Sequence, residues 1–207
     1  INELTEDRKV KDAVIKYLKE LGNTVLDVTP PDSISSLSAD LSYGVNKANE
    51  WGADLFVSIH FNKAYASYNG ALGTEVCVYS ENDVAGRVVN GLASLGFKNR
   101  GQKVRTGLYE LKNTKMKAMI VETCFVEATE DVTLYKRLGH DAIGKTIAEA
   151  IANKKVIEAS TLAQNNQAET YYRVVAGSYK DRENAEERKR QLEAEGFIGV
   201  FLEAIKK

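Results

Sequence analysis

Two cysteines, two histidines, two prolines and a single tryptophan in 207 residues leave several function classes without their raw material. Cys77 and Cys124 are too few for a disulfide framework, show no zinc-ribbon or thioredoxin-like spacing, and suit synthesis in a reducing compartment. Charge of one sign is also lacking. With 28 Lys+Arg against 29 Asp+Glu the net charge is −1, so no global field draws the chain to nucleic acid or anionic lipid, and no nucleic-acid partner is expected. No apolar run approaches the ~18 residues of a membrane span, so none is expected. An initiator methionine is missing too. The chain opens Ile1-Asn2-Glu3, which leads to the expectation that an N-terminal piece is absent and that the lack of a signal peptide says nothing about secretion.

What is present is ordinary globular material, 43% apolar and 28% charged, in a length that suits one domain of about 150 residues and something small besides. Val10, Ala13, Val14, Tyr17, Leu18 and Leu21 form one helical stripe, with Asn2 or Thr5 as its cap and Gly22 as its stop. Asn23–Val28 reads as a strand closed by Pro30-Pro31, and Leu37–Trp51 as a helix stopped by Gly52. Strands are expected at Leu55–Ile59, Thr74–Ser80 and Ala118–Val126, with a short extended piece at Leu108–Leu111. Helices are expected at Asp83–Leu95, Glu130–Leu138 and Asp141–Asn153. Apolar strands alternating with amphipathic helices imply an α/β fold, a twisted and mostly parallel sheet with helices on both faces. Ligands of such sheets sit beyond the carboxyl ends of the strands.

Two of those ends carry chemistry. "DLFVSIHFN" runs a strand into His60, and "AMIVETCFV" places Glu122 in an apolar strand, where a carboxylate is costly to bury unless paired or near a metal. Each alone has a bland reading: a strand-end histidine, a salt-bridged glutamate. Glu3, at the first turn of the first helix, reads alone as a residue that favours the helix dipole. Together they supply two types of metal ligand and a candidate general base at one edge of the sheet.

"NKANEWGADLFVSIHFN" (Asn46–Asn62) with "VETCFV" (Val121–Val126) resembles the zinc-dependent N-acetylmuramoyl-L-alanine amidases, the catalytic domains of many phage endolysins and bacterial autolysins. The resemblance covers residues 1–156. It implies zinc held by His60 and by Glu3 of the "INE" opening, Glu122 as the catalytic base, and cleavage of the amide between N-acetylmuramic acid and the L-alanine of the stem peptide in peptidoglycan. The family's first zinc-binding His precedes that Glu, so the third ligand is expected outside these residues. His140, in "LGHDAIGK", does not match and reads as a surface or capping residue. Asn62 reads as a loop-fixing residue, and Arg105 as a candidate for binding stem-peptide carboxylates.

Residues 157–169, "IEASTLAQNNQAE", read as a linker. Residues 170–207 contain "YYRVVAGSYKDRENAEERKRQLEAEGF", which resembles half of a sporulation-related (SPOR) repeat, with strands at Tyr171–Tyr179 and Phe197–Glu203 flanking a helix capped by Asp181. Such a βαβ half leaves sheet edges unpaired, which implies a homodimer through this segment. The expectation is a phage endolysin acting from the host cytoplasm on the wall. The alternatives are a secreted sporulation or cell-separation autolysin, a wall-binding protein on a degenerate amidase fold, and a zinc peptidase cutting within the stem peptide.

Overall fold

A computed structural model describes residues 2–34, 36–157, 176–198, 200–202 and 204. The chain divides into two compact units, Ile1–Ile157 and Glu158–Lys207.

In the first unit, α1 (Glu3–Glu20) starts where the Asn2 side chain accepts the Thr5 N–H at 3.0 Å, one of the two expected caps. Its stripe of Val10, Ala13, Val14, Tyr17 and Leu18 is buried. The expected strand at Asn23–Val28 does not form: these residues pair with no strand, and Val25 and Val28 only lean on the core. Side chains here are engaged locally, with Asn23 bonding Leu18 O and Asp27 taking Thr29 and Lys11. α2 (Leu37–Trp51) is capped by Ser36 and ends on Gly52 in the left-handed region.

β1 (Leu55–Asn62), β2 (Thr74–Val78), β3 (Asn99–Val104) and β4 (Lys117–Phe125) form one four-stranded sheet in the order β1-β4-β2-β3. β1 and β4 are parallel, β2 and β3 are parallel, and β2 meets β4 antiparallel. β3 was not legible as a strand, because "NRGQKV" on a half-exposed edge lacks apolar alternation. The expected extended piece at Leu108–Leu111 is instead the start of a short helix, α4 (Tyr109–Asn113), with Leu111 buried against the sheet. α3 (Asp83–Ser94) and α5 (Thr129–Ala152) complete the unit. α5 bends at Gly139, with φ 78° and ψ 158°, where the sequence suggested two helices.

Helices cover both faces of the sheet. Met119, Val121, Val76, Val78, Ile59 and Phe61 belong to a core with α1, α3 and α5, whereas Phe56, Cys77, Ala118 and Ile120 pack with Ala48 of α2 and Leu111 of α4. α1 is fastened to α5 by Tyr17 Oη donating to Asp141 at 2.5 Å and Tyr135 Oη donating to Glu6 at 2.6 Å. Gly144 lets the two backbones approach, since a Cβ there would lie 2.4 Å from Ala13 Cβ and 2.9 Å from Val14 N. This junction sets where the first turn of α1 stands.

In the second unit, α6 (Arg182–Ala194) follows Asp181, which occupies the cap position without a side-chain cap bond. Residues 171–175 of the first expected tail strand lie outside the described residues. Residues 176–179, and the described residues of Phe197–Glu203, form no strand. The βαβ reading therefore stands on its helix alone among the described residues.

Candidate metal and catalytic site

Side chains alternate across a strand, so residues two apart share a face. Ser58 and His60 follow Phe56, Glu122 follows Ile120 and Glu75 precedes Cys77, all by even spacings, so these polar groups lie on the face that α2 and α4 cover. Register completes the grouping. His60 on β1 stands beside Glu122 on β4, and Glu75 on β2 stands on the other side of Glu122.

The first turn of α1 closes the cluster from the β1 edge. His60 Nδ1 lies 3.6 Å from Glu3 Oε1, and ligand atoms of Glu3, Asp7 and His60 all fall within 4.8 Å of one another. The other imidazole nitrogen, Nε2, is 3.0 Å from Ser58 Oγ, which donates to Glu110 Oε1 at 3.1 Å. His60 is thus oriented from behind while Nδ1 faces the carboxylates. The side chains of Glu3 and His60 are 46% and 39% exposed, so an ion or substrate can reach them from solvent.

Burial shapes the acids behind this opening. Glu122 Oε2 and Asp7 Oδ1 are buried and have no hydrogen-bond partner among the described residues. Desolvation pushes the Glu122 carboxyl up to about 7, with the charges of Glu75, Glu3 and Glu110 adding and His60 opposing. Asp7 is also raised to about 7, chiefly by desolvation, against the pull of His60. Carboxylates gathered around one imidazole, two with an orphan oxygen, are a donor set suited to a cation.

Loops behind the site are tied to the end of β4. Glu127 accepts Ala64 N at 2.7 Å and Tyr65 N at 2.9 Å, and buried Asp131 accepts Gly73 N at 2.8 Å and Leu72 N at 3.2 Å. Asn62 Nδ2 donates to Glu75 Oε1 at 3.1 Å, and Asn62 Oδ1 accepts Lys63 N at 2.8 Å.

Glu3, His60 and Glu122 are therefore brought together. Arg105 is not. Its N–H donates to Val78 O, and Val78 pairs with Met119, three residues before Glu122 and toward the opposite end of the sheet. His140 is exposed on α5, where its charge acts on Glu6 and Asp141. Sequence reasoning missed Asp7, Glu75, Glu110 and Arg100. Asp7 is signalled by its position four residues after Glu3 on one helix face, and Glu75 by a carboxylate inside the otherwise apolar "TEVCV".

An open donor cluster beside a buried carboxylate of raised pKa is an arrangement able to hold a cation and to move a proton. Residues 1–153 match the N-acetylmuramoyl-L-alanine amidase family, and the chain belongs to it. Residues 145–202 match the SPOR domain. An uncharacterised protein of Clostridium perfringens is 48% identical over 163 residues, which cover 76% of this chain and 48% of that protein. The N-acetylmuramoyl-L-alanine amidase CwlM of Bacillus licheniformis is 30% identical over 176 residues, 81% of this chain and 64% of that protein. Among solved structures, the catalytic domain of the CD27L endolysin targeting Clostridia Difficile superposes with a TM-score of 0.68 at 29% identity, covering 75% of this chain and 86% of that one. The chain spans about half the length of the Clostridium perfringens relatives, 48% and 53%.

Proposed function

We propose that the chain hydrolyses the amide joining N-acetylmuramic acid to the L-alanine of the stem peptide, with zinc at the Glu3–His60 cluster and Glu122 as general base. The observation that carries this reading is the in-register pair of His60 and Glu122, with Glu3 3.6 Å from the imidazole, in a chain of the amidase family. Zinc takes nitrogen and oxygen donors and keeps an open position in catalytic sites, and the donor set of Glu3, Asp7 and His60 fits that requirement. When bound, it supplies a Lewis acid that lowers the pKa of water to about 7 and polarises a carbonyl.

The chain's own residues do the rest. Ser58 and Glu110 hold the His60 ring, leaving Nδ1 toward Glu3. Glu122 Oε2, buried and unpartnered, takes the proton of the attacking water as its oxygen bonds to the scissile carbonyl carbon. It then delivers that proton to the amide nitrogen as the carbon–nitrogen bond breaks, releasing the L-alanine amine. Burial without a partner raises the proton affinity of this carboxyl, which favours its taking a proton from water.

The likeness to an endolysin catalytic domain supports host-cell lysis by a phage, acting from the host cytoplasm on the wall. The SPOR match and the similarity to CwlM favour a second reading, a bacterial autolysin with the same chemistry that is secreted to the wall. Turnover and metal content, measured together on purified variants, test the mechanism. Glu122→Gln is expected to keep zinc while losing about 10²-fold or more in release of wall peptides, and His60→Ala to lose both. Near-normal release by Glu122→Gln would remove Glu122 from the reaction.

A further inference from the structure

Each of the four strands contributes one polar side chain to a single line across the sheet: His60 on β1, Glu122 on β4, Glu75 on β2 and Arg100 on β3. The first two belong to the proposed reaction. The last two form an ion pair that the reaction does not use. Glu75 is 5% exposed, and both of its oxygens are engaged, Oε1 by Asn62 Nδ2 at 3.1 Å and Oε2 by Arg100 Nε at 2.7 Å. Arg100 keeps 33% of its side chain exposed and lies over the Phe125 ring, with its guanidinium carbon 5.0 Å from the ring centroid.

A guanidinium has two hydrogen-bonding edges, one through Nε and one formed by the paired terminal nitrogens. Glu75 takes the Nε edge. The terminal edge has no partner among the described residues, although ring and ion pair together fix its direction. Neutralising Glu75 would need only a cation. Holding a planar fork rigid, partly open to solvent and with its end-on edge unspent, is the arrangement that receives a carboxylate in two parallel bonds.

We propose that Arg100 is a specificity-determining residue, whose end-on edge takes a carboxylate on the second residue of the stem peptide. The inference rests on the amidase reading, and the spacing supports it. From Glu122 to the guanidinium is one strand spacing, about 5 Å, plus the reach of an ion pair. Two residues of extended peptide span about 7 Å from the scissile bond. A substrate with its first amide at Glu122 therefore carries the side groups of its second residue over Glu75 and onto Arg100. Arg105, which follows the far end of β3, lies toward the opposite end of the sheet.

Two probes that differ in one group test this: an N-acyl-L-alanyl-γ-D-glutamyl amide with its α-carboxylate free, and the same peptide with that group as the primary amide. Calorimetric titration of the full chain reads binding without requiring turnover. The unmodified chain is expected to prefer the carboxylate form by about tenfold or more. Arg100→Lys keeps a charge beside Glu75 but cannot present paired N–H groups, and is expected to lose most of that preference at unchanged thermal stability. Arg100→Gln leaves Glu75 buried and unpaired, so it is made together with Glu75→Gln and checked for folding. Full preference retained by Arg100→Lys, or equal binding of the two probes by the unmodified chain, overturns the proposal. Hydrolysis of wall fragments is followed in parallel. Failure of the unmodified, zinc-supplied chain to cleave them, with the binding preference intact, overturns the amidase reading and leaves Arg100 as a carboxylate site.

Discussion

Asp7 and Glu122 both feel the charge of His60, and each keeps a buried oxygen without a hydrogen-bond partner among the described residues. Their carboxyls are raised from 3.8 and 4.5 to about 7, so the folded chain holds protons more tightly than the unfolded chain between those values. Stability of the metal-free protein therefore falls as pH rises through that window, and is regained on acidification toward about pH 5. Glu6, Asp27, Asp141 and Glu149 run the other way: their pKa values are lowered by hydrogen bonds and cations, and the stability they contribute is lost only below the ordinary carboxylate range. The expected outcome is a thermal midpoint that is higher near pH 5 than near pH 8 in the absence of metal. The double variant Asp7→Asn/Glu122→Gln flattens that slope. An unchanged slope in the double variant would show that the strain lies elsewhere. His60 and Glu122 were legible because a polar residue at the end of an apolar strand demands a reason. Asp7 was less so, because Glu6 and Arg8 on either side make the stretch look like an ordinary helix surface, and its spacing of four from Glu3 tells only once Glu3 is taken as a ligand.

At the scale of elements, the site depends on a helix that belongs to the opposite layer. α1 packs its stripe with α3 and α5, yet its first turn supplies Glu3 and Asp7 to His60 at the β1 edge. The distance between the α1 and α5 backbones thus tunes the cluster. Gly144→Ala places a Cβ 2.4 Å from Ala13 Cβ and 3.0 Å from Ala13 C, contacts that no side-chain rotation relieves. The variant is expected to lose about 1–3 kcal/mol and to bind zinc more weakly, because the first turn is pushed away from His60. Denaturant unfolding and a zinc titration check both halves, and an unaltered midpoint would show that the helices separate without cost. Adding Ala13→Gly should recover part of the loss by removing the nearest atom. The stripe of α1 was readable from spacing, as were its cap at Asn2 and the stop of α2 at Gly52, since both follow from local chemistry. β3 and the coil at Asn23–Val28 were not. Whether an extended segment becomes a strand is decided by a neighbour to pair with, and no local pattern reports that neighbour.

On the scale of the whole molecule, the second unit presents apolar groups that its own described residues do not cover. No residue of α6 is buried, and Phe197, Ile198 and Leu202 are 58%, 98% and 43% exposed. The SPOR domain match spans residues 145–202 and so includes these exposed residues. Apolar side chains left uncovered in this way are a surface that a second copy of the chain can cover by a two-fold operation that closes on itself. Burying a side chain such as Ile198 in that union stabilises it by about 1.5–3 kcal/mol. The full chain is therefore expected to sediment as a dimer at tens of micromolar, and a chain ending at Ile157, the limit of the first compact unit, as a monomer. Ile198→Asp separates pairing from mere stickiness. In a specific dimer, a charge at Ile198, the most exposed apolar position among the described residues of the tail, shifts the full chain to monomer while leaving the hydrolysis of soluble wall fragments intact. A full-length protein that stays monomeric at that concentration would overturn the pairing and leave wall binding as the role of the tail, to be read by co-sedimentation of the chain with purified cell walls.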